Sequence, residues 1–320
     1  KKRFNVDALA ALAVAGTAFA QSVTLSGAYG VSFQKATDGV KGVATTDGSL
    51  AVAATEDLGG GLTVTAKAAM DLQGRGQGTP VSTDASLTVA GGFGSLMAGS
   101  VEAGNGIIGR GMAGAPVTLP SGLDGLVLSG ASNVDIVKWT SPAMNGFTVN
   151  ASYTDLAGAG SQTRAQSTGA GFGYDNGPVS VSGDYTSYSK TDGYNGATAT
   201  TGAKGADSRI RLSASYDLGV AKVGAGYQSV TYTDNAKNLQ SVVGVSVPMG
   251  ALTLGVAMAR NNQEYGALQT VAQKSATVYA ANYALSKRTS LNFSAANAPK
   301  QGTATSAKES QYRVRMLHTF

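Results

Sequence analysis

The sequence predicts an all-β protein: a transmembrane, antiparallel, up-and-down β-barrel of about 16 strands. Three observations point there. Segments of apolar–polar alternation recur, the connections between them run short then long, and the chain solvates itself with little charge. Only 13% of the 320 residues are charged, against roughly 25% in an average soluble domain. Glycine is abundant at 44 residues, proline scarce at 7, and cysteine absent. Without Cys there is no disulfide framework, thiolate nucleophile or Cys-based metal site. A spanning helix needs about 20 mostly apolar residues, and Gly or a polar residue breaks every apolar run after Ala20. A chain of this kind can cross a bilayer only by closing its strands, so that every backbone donor finds a neighbour.

Residues 1–20 are a separate element. Lys1, Lys2 and Arg3 precede an Ala-rich apolar run at 8–15 and the sequence Ala18-Phe19-Ala20. This is the layout of a secretory signal with its cleavage site; a surface amphipathic helix is the other reading, and Asp7 fits the signal poorly. Cleavage leaves residues 21–320 as a single barrel domain of formal charge 5 − 3 + 1 = +3.

Successive strand side chains point to opposite faces, so each strand can be read by parity. In 22–34, Val23, Leu25, Tyr29, Val31 and Phe33 oppose Ser22, Thr24, Ser26, Ser32 and Gln34. Residues 35–47 read as a loop. Strands 49–57 and 62–72 flank a tight Leu-Gly-Gly-Gly turn, and 84–90 and 95–101 flank Gly-Gly-Phe-Gly. A long irregular segment covers 102–133. Alternation resumes in 135–140, 147–154, 166–174 and 179–188; a Gly- and Thr-rich loop spans 190–206. Strands 208–216, 221–232, 239–247, 252–261, 274–285 and 290–296 follow. The last, 309–320, sets Tyr312, Val314, Met316, His318 and Phe320 against Gln311, Arg313, Arg315 and Thr319. Alone, that segment fits a soluble strand equally well; with the preceding ones it reads as the seam that pairs with the first strand. Short connections at one end and long ones at the other mark a membrane barrel. A soluble sandwich would need bulky inward residues, whereas here one face is Ser, Thr, Asn and Gly, which suits a water-filled lumen. Tyr153, Tyr185, Tyr216, Tyr227, Tyr279, Tyr283, Phe147, Phe293, Trp139 and Phe320 lie in or near strands, as girdles at the headgroup level would require.

The chain resembles the Gram-negative general porins, a trimeric sixteen-stranded family, in their beta-proteobacterial form. The residues carrying the likeness are the signal followed by QSVTLSGAYGV, the turns DLGGGL, GGFGSLMAG and YDLGV, the long segment after the fifth strand, and the closing RMLHTF. Ser100 and Leu317 stand where many relatives carry Arg. The resemblance implies passive diffusion of small hydrophilic solutes, a homotrimer, a setting of outer-membrane lipid and lipopolysaccharide, and recognition of Phe320 by the barrel-assembly machinery. It also implies that the third external loop, here 102–133, folds into the lumen and sets its charges, Glu102, Arg110 and Asp124, against basic residues of the wall. Ile107, Ile108, Met112, Val117, Leu119 and Leu126 argue that this loop packs against something.

Parity supplies the wall. Lys67 lies on the polar face of its strand, Arg209 and Arg211 alternate with Ile210 and Leu212, and Arg313 and Arg315 alternate with Val314 and Met316. A charge facing lipid near mid-bilayer costs about 2–4 kcal/mol, so all five are expected in the lumen. Lys138 and Lys222 are further candidates of less certain register. A basic lumen favours anions, so a weak anion preference is expected. A substrate-specific channel and a structural or adhesive barrel with little conductance remain as alternatives. Enzyme chemistry is disfavoured: the single histidine, His318, shares the apolar parity and has no nucleophile marked beside it. No cofactor or metal motif is present, and the dispersed basic residues do not outline a nucleic-acid surface. The modest side chains of 49–54 and 84–90 mark a possible subunit contact.

Overall fold

The computed structural model describes residues 22–35, 41–72, 81–102, 106–119, 127–128, 133–156, 165–189, 194–195, 198–199, 205–263, 274–299 and 308–320. The strands are β1 (Ser22–Lys35), β2 (Lys41–Gly59), β3 (Leu62–Asp71), β4 (Val81–Gly91), β5 (Gly94–Glu102), β6 (Asn133–Thr140), β7 (Phe147–Asp155), β8 (Gln166–Asn176) and β9 (Val179–Ser189). A short hairpin, β10 (Tyr194–Asn195) and β11 (Thr198–Ala199), precedes β12 (Ala206–Asp217), β13 (Lys222–Tyr232), β14 (Lys237–Met249), β15 (Leu252–Gln263), β16 (Lys274–Ala284), β17 (Thr289–Pro299) and β18 (Lys308–Thr319). One helical turn, α1 (Ile108–Gly111), lies between β5 and β6. All strands except β10 and β11 form one closed antiparallel barrel of 16, each paired with its neighbour in the chain and β18 returning to β1. No helix among the described residues is long and apolar enough to cross a membrane.

The closure is continuous. β1 and β18 are in register from Ala28↔Thr319 to Lys35↔Tyr312. Beyond the last pair, Gly27 and Phe320 exchange both backbone hydrogen bonds, at 3.0 and 3.1 Å. A Cβ on Gly27 would collide with the Phe320 ring, 2.6 Å from its nearest carbon, so the terminal aromatic lies over a residue with no side chain. Sharp turns close this same end of the barrel. Gly59, Gly60 and Gly61 all have positive φ, 78°, 62° and 79°, and Asp57 Oδ1 accepts from Gly59 N at 2.8 Å. Only glycine takes three such residues in succession without strain.

Two sequence expectations change. Residues 41–47 are strand, not loop: β1 and β2 stay paired up to Lys35↔Lys41, with a bulge opposite Gly30 and Val31. The bulge adds a residue to β2, which breaks the parity that would have marked this stretch in the sequence. The expected loop 190–206 contains the small hairpin. Elsewhere strands run one to a few residues further than their alternation. The outward set is as expected: Tyr153, Tyr185, Tyr216, Tyr227, Tyr279, Tyr283, Phe147, Phe293 and Phe320 are all exposed on the barrel exterior, and Trp139 Nε1 donates to the Phe93 carbonyl at 3.1 Å in the turn below.

Candidate functional site

The lumen is defined by the parity opposite the exposed apolar set, and it is crossed by the segment between β5 and β6. That segment leaves the wall at Glu102 and seats residues 106–119 and 127–128 on the inner faces of β13 to β17, on the far side of the ring. Ile107, Leu119, Val127 and Leu128 are buried there against Val242, Ala257, Ala259, Ala276, Val278, Ala296 and Ala298. The inward face of β14 to β17 is therefore small and apolar over much of its height. Under the loop the polar face expected throughout the lumen is interrupted by these apolar residues, and the polar side chains left among them bond to the loop. Ser246 Oγ donates to the Ala113 carbonyl at 2.5 Å, Thr118 N to Ser294 Oγ at 2.8 Å, and Asn261 Nδ2 to the Val127 carbonyl at 2.7 Å.

Four inward glycines make the seat possible. A Cβ on Gly226 would lie 2.6 Å from the Ile107 carbonyl oxygen, on Gly244 2.5 Å from Met112 Cα, and on Gly255 2.7 Å from Ala115 Cβ. On Gly224 it would run into the Arg110 carbonyl oxygen. No real Cβ tolerates such distances, so the loop backbone lies directly on strand backbone. Sequence reading missed this track; its signal was four glycines at inward parity on three consecutive strands.

Arg110, on α1, reaches past β12 to β8 and β9 at the flank of its seat. Its Nε donates to Ser180 Oγ at 2.6 Å, one terminal nitrogen to Ser182 Oγ at 3.2 Å, and the other pairs with Asp175 at 3.1 Å. Ser180 is itself hydrogen-bonded to Asp175. The loop is thus tied to β8 and β9 near the short-turn end of the barrel.

The wall residues fall on the inward parity. Arg211 Nε donates to both oxygens of Asp184, at 3.0 and 2.8 Å. Arg209 pairs with the same carboxylate at 3.5 Å, donates to Thr186 Oγ1 at 3.1 Å and lies 5.9 Å from the Tyr188 ring centre. One carboxylate thus serves two guanidiniums. On β18, Arg315 donates to both oxygens of Asp47, at 2.9 and 2.7 Å, and to Asn292 Oδ1 at 2.9 Å. Arg313 Nε donates to Gln34 Oε1 at 2.9 Å. Lys67 shares its face with Thr65, which is hydrogen-bonded to Thr55. Lys138 is in the cross-strand row of Ser152, Gly169, Thr186 and Arg209. Lys222 begins β13 on the inward side, within electrostatic reach of Asp175. Glu102 departs from expectation: it ends β5 on the outward parity, paired with Asn133, so its carboxylate is at the rim. The loop's exit from the wall fixes this, because Glu102 N donates to inward-facing Asp84 at 2.8 Å. Asp124 and residues 1–20 lie outside the described residues. Asp47, Asp175 and Asp184, the acids that meet these cations, were not singled out by sequence.

Leaving out the last three positions at each strand end, the inward face carries Lys67, Arg209, Arg211, Arg313 and Arg315 against Asp47, Asp84 and Asp184, an excess of 5 − 3 = 2 positive charges. Nearer the strand ends the inward face adds the acids Asp57, Asp71, Asp175 and Asp217 and the cations Lys138 and Lys222. Among the described residues no group of acidic or histidine side chains could hold a metal ion.

Residues 8–302 match the sequence model of a family described as Gram-negative porin. No curated protein sequence matches the chain. Among solved structures, an anion-selective porin from Comamonas acidovorans superposes with a TM-score of 0.69 at 23% identity, covering 94% of this chain and 100% of that one. OmpF of Salmonella typhi, in complex with daunomycin, gives 0.70 at 13% identity, covering 93% and 97%. The trimer form of Vibrio cholerae OmpT gives 0.67 at 14% identity, covering 94% and 100%. At these identities the likeness is one of fold.

Proposed function

Because the chain belongs to the Gram-negative porin family, an outer-membrane channel family, we propose that it is a passive, weakly anion-preferring pore for small hydrophilic solutes. The observation that carries the sign is the excess of two positive charges on the inward strand interiors. In a water-filled lumen with low-dielectric walls, that excess raises the local anion concentration and repels cations. Pairing with Asp47 and Asp184 cancels part of the field, which keeps the preference weak. The similarity to an anion-selective porin agrees in sign.

Selectivity by size falls to the loop. It crosses the lumen, is seated on β13 to β17 and tied to β8 and β9, and occupies cross-section that solute would otherwise use. Nothing in this mechanism needs a reacting group. Transport is downhill, and the protein supplies only bore and field. The same reading makes residues 1–20 a cleaved export signal and the functional unit a homotrimer, as in the trimeric form of OmpT. The outward faces of β2 and β4 are its candidate contact.

Purified protein reconstituted in a planar bilayer tests the proposal. Discrete conductance steps that scale with salt concentration are expected. A barrel that inserts but gives no steps would support the structural or adhesive alternative instead.

A further inference from the structure

The far edge of the loop rests on a polar patch whose hydrogen bonding is incomplete. Thr118 N donates to Ser294 Oγ at 2.8 Å, which sets the loop against β17 beside its partner β18. Ser294 is the cross-strand partner of Arg313, and Ala296 is that of Gln311. Directly opposed residues have Cβ atoms about 4.5–5.5 Å apart. Gln311 and Arg313, two residues apart on one face, are separated by about 6–7 Å along the strand. Thr118, Gln311 and Arg313 therefore lie within side-chain reach of one another. All are shielded from the open lumen: Ser294 is 0% exposed, Gln311 1%, Thr118 7% and Arg313 8%.

Groups buried this deeply are ordinarily paired. Yet neither Nε2 nor Oε1 of Gln311 has a hydrogen-bond partner, and neither has Thr118 Oγ1. Arg313 donates its Nε to Gln34 Oε1, but among the described residues no carboxylate pairs with its guanidinium. Asp47 is within electrostatic reach and gives both oxygens to Arg315. Glu309, on the same face of β18, is four residues from Arg313, about 13 Å along the strand, and has an interaction of its own. An uncompensated cation, a spare amide and a spare hydroxyl thus meet in one buried place.

We propose that Arg313, Gln311 and Thr118 hold a resident monovalent anion of chloride size, buried between the loop and the β17–β18 wall. Each supplies a donor: a terminal guanidinium nitrogen, the amide Nε2 and the hydroxyl hydrogen. Such charge-assisted bonds are the strong ones. Arg313 has five N–H groups and spends one on Gln34, which leaves donors for the ion and for Gln311 Oε1. A water molecule would satisfy the amide and the hydroxyl but leave the guanidinium charge buried and unpaired. A dianion would exchange one buried excess charge for another. Only a single negative charge closes the balance. The ion is part of the loop's seat and lies off the permeation path. It offsets Arg313 in the charge balance of the lumen, leaving 2 − 1 = 1 and the same sign.

Bromide is the probe. Crystals of the native barrel grown in bromide should show an anomalous peak within hydrogen-bonding distance of Arg313 and Gln311. In solution, replacing gluconate by chloride at constant ionic strength should raise the thermal unfolding midpoint by several degrees and then saturate, as binding to the folded state alone requires. Gln311→Leu and Arg313→Gln should each lose most of that shift. A site without a bromide peak, a water in its place, or an equal chloride shift in both variants overturns the proposal. The crystallographic arm needs no variant, so it decides even where a substitution prevents folding. Native protein that shows the peak but gives no conductance steps would instead defeat the pore reading and leave the ion site standing.

Discussion

Alanine at Gly244 should reverse the sign normally seen for a glycine in a strand. In a strand interior alanine is ordinarily the better residue by roughly 0.5–1 kcal/mol, because glycine loses more backbone freedom on folding. Here the added Cβ would lie 2.5 Å from both Cα and O of Met112 and 2.6 Å from its carbonyl carbon, where ordinary contact begins at 3.4 Å. The loop must withdraw by 3.4 − 2.5 = 0.9 Å. It is poorly placed to slide sideways: Gly111 lies against Gly226 and Val242, and Ala113 is bonded to Ser246. Overpacking of this kind costs about 1–3 kcal/mol. Offset by the propensity gain, Gly244→Ala should destabilise the barrel by about 1 kcal/mol. The displaced backbone moves from the wall towards the pore axis, so single-channel conductance should also fall. Gly173→Ala is the control, since its Cβ would meet only the Thr148 hydroxyl, at 3.0 Å; it should leave conductance unchanged and stability unchanged or higher. The assays are denaturant unfolding in lipid, followed by heat-modifiable gel mobility, and conductance in a planar bilayer. Gly244→Ala as stable as the native chain, at native conductance, would refute the seating of the loop on the glycine track.

Further outcomes follow from the charge pairs and the seam. Asp184→Asn leaves Arg209 and Arg211 without their shared counter-charge, and Asp47→Asn does the same for Arg315; each should increase anion preference in reversal-potential measurements, while Arg315→Gln should decrease it. Arg110→Ala removes a tie that is substantially exposed on the Asp175 side, worth about 0–1 kcal/mol as an ion pair. It should therefore leave barrel stability nearly unchanged but increase current noise as α1 loosens. Deleting Phe320 removes two backbone hydrogen bonds to Gly27, about 1–3 kcal/mol in total. It should lower the yield of assembled barrel without altering the conductance of what does insert.

The barrel was legible because strand parity is a local signal. Two or three residues either side of Arg209 or Arg313 suffice to show which way the side chain points, and the cost of a lipid-facing charge settles the choice of face. The alternation failed where the backbone departs from period two. The bulge in β2 hid Asp47 in an apparent loop and with it the partner of Arg315. The contacts of the lumen were unreadable for a different reason. Arg110 and Asp175 are 65 residues apart, and Thr118 and Ser294 are 176 apart, so nothing near either partner announces the other. The apolar residues of the loop did signal that it packs. The surface receiving it, a row of glycines and alanines on β13 to β17, is recognisable only once the ring has closed. Glu102 shows the limit of assigning a role by position in a loop: the residue still belongs to β5 and takes that strand's outward parity.

The sign of the pore's field is the central functional claim, and the reversal potential of the reconstituted channel in a salt gradient reads it directly. With a salt whose two ions have equal mobility, the excess of two inward positive charges predicts a potential displaced towards the anion equilibrium value. That displacement should shrink as ionic strength rises and screening shortens the reach of the wall charges. A potential displaced towards the cation value at low salt would contradict the account.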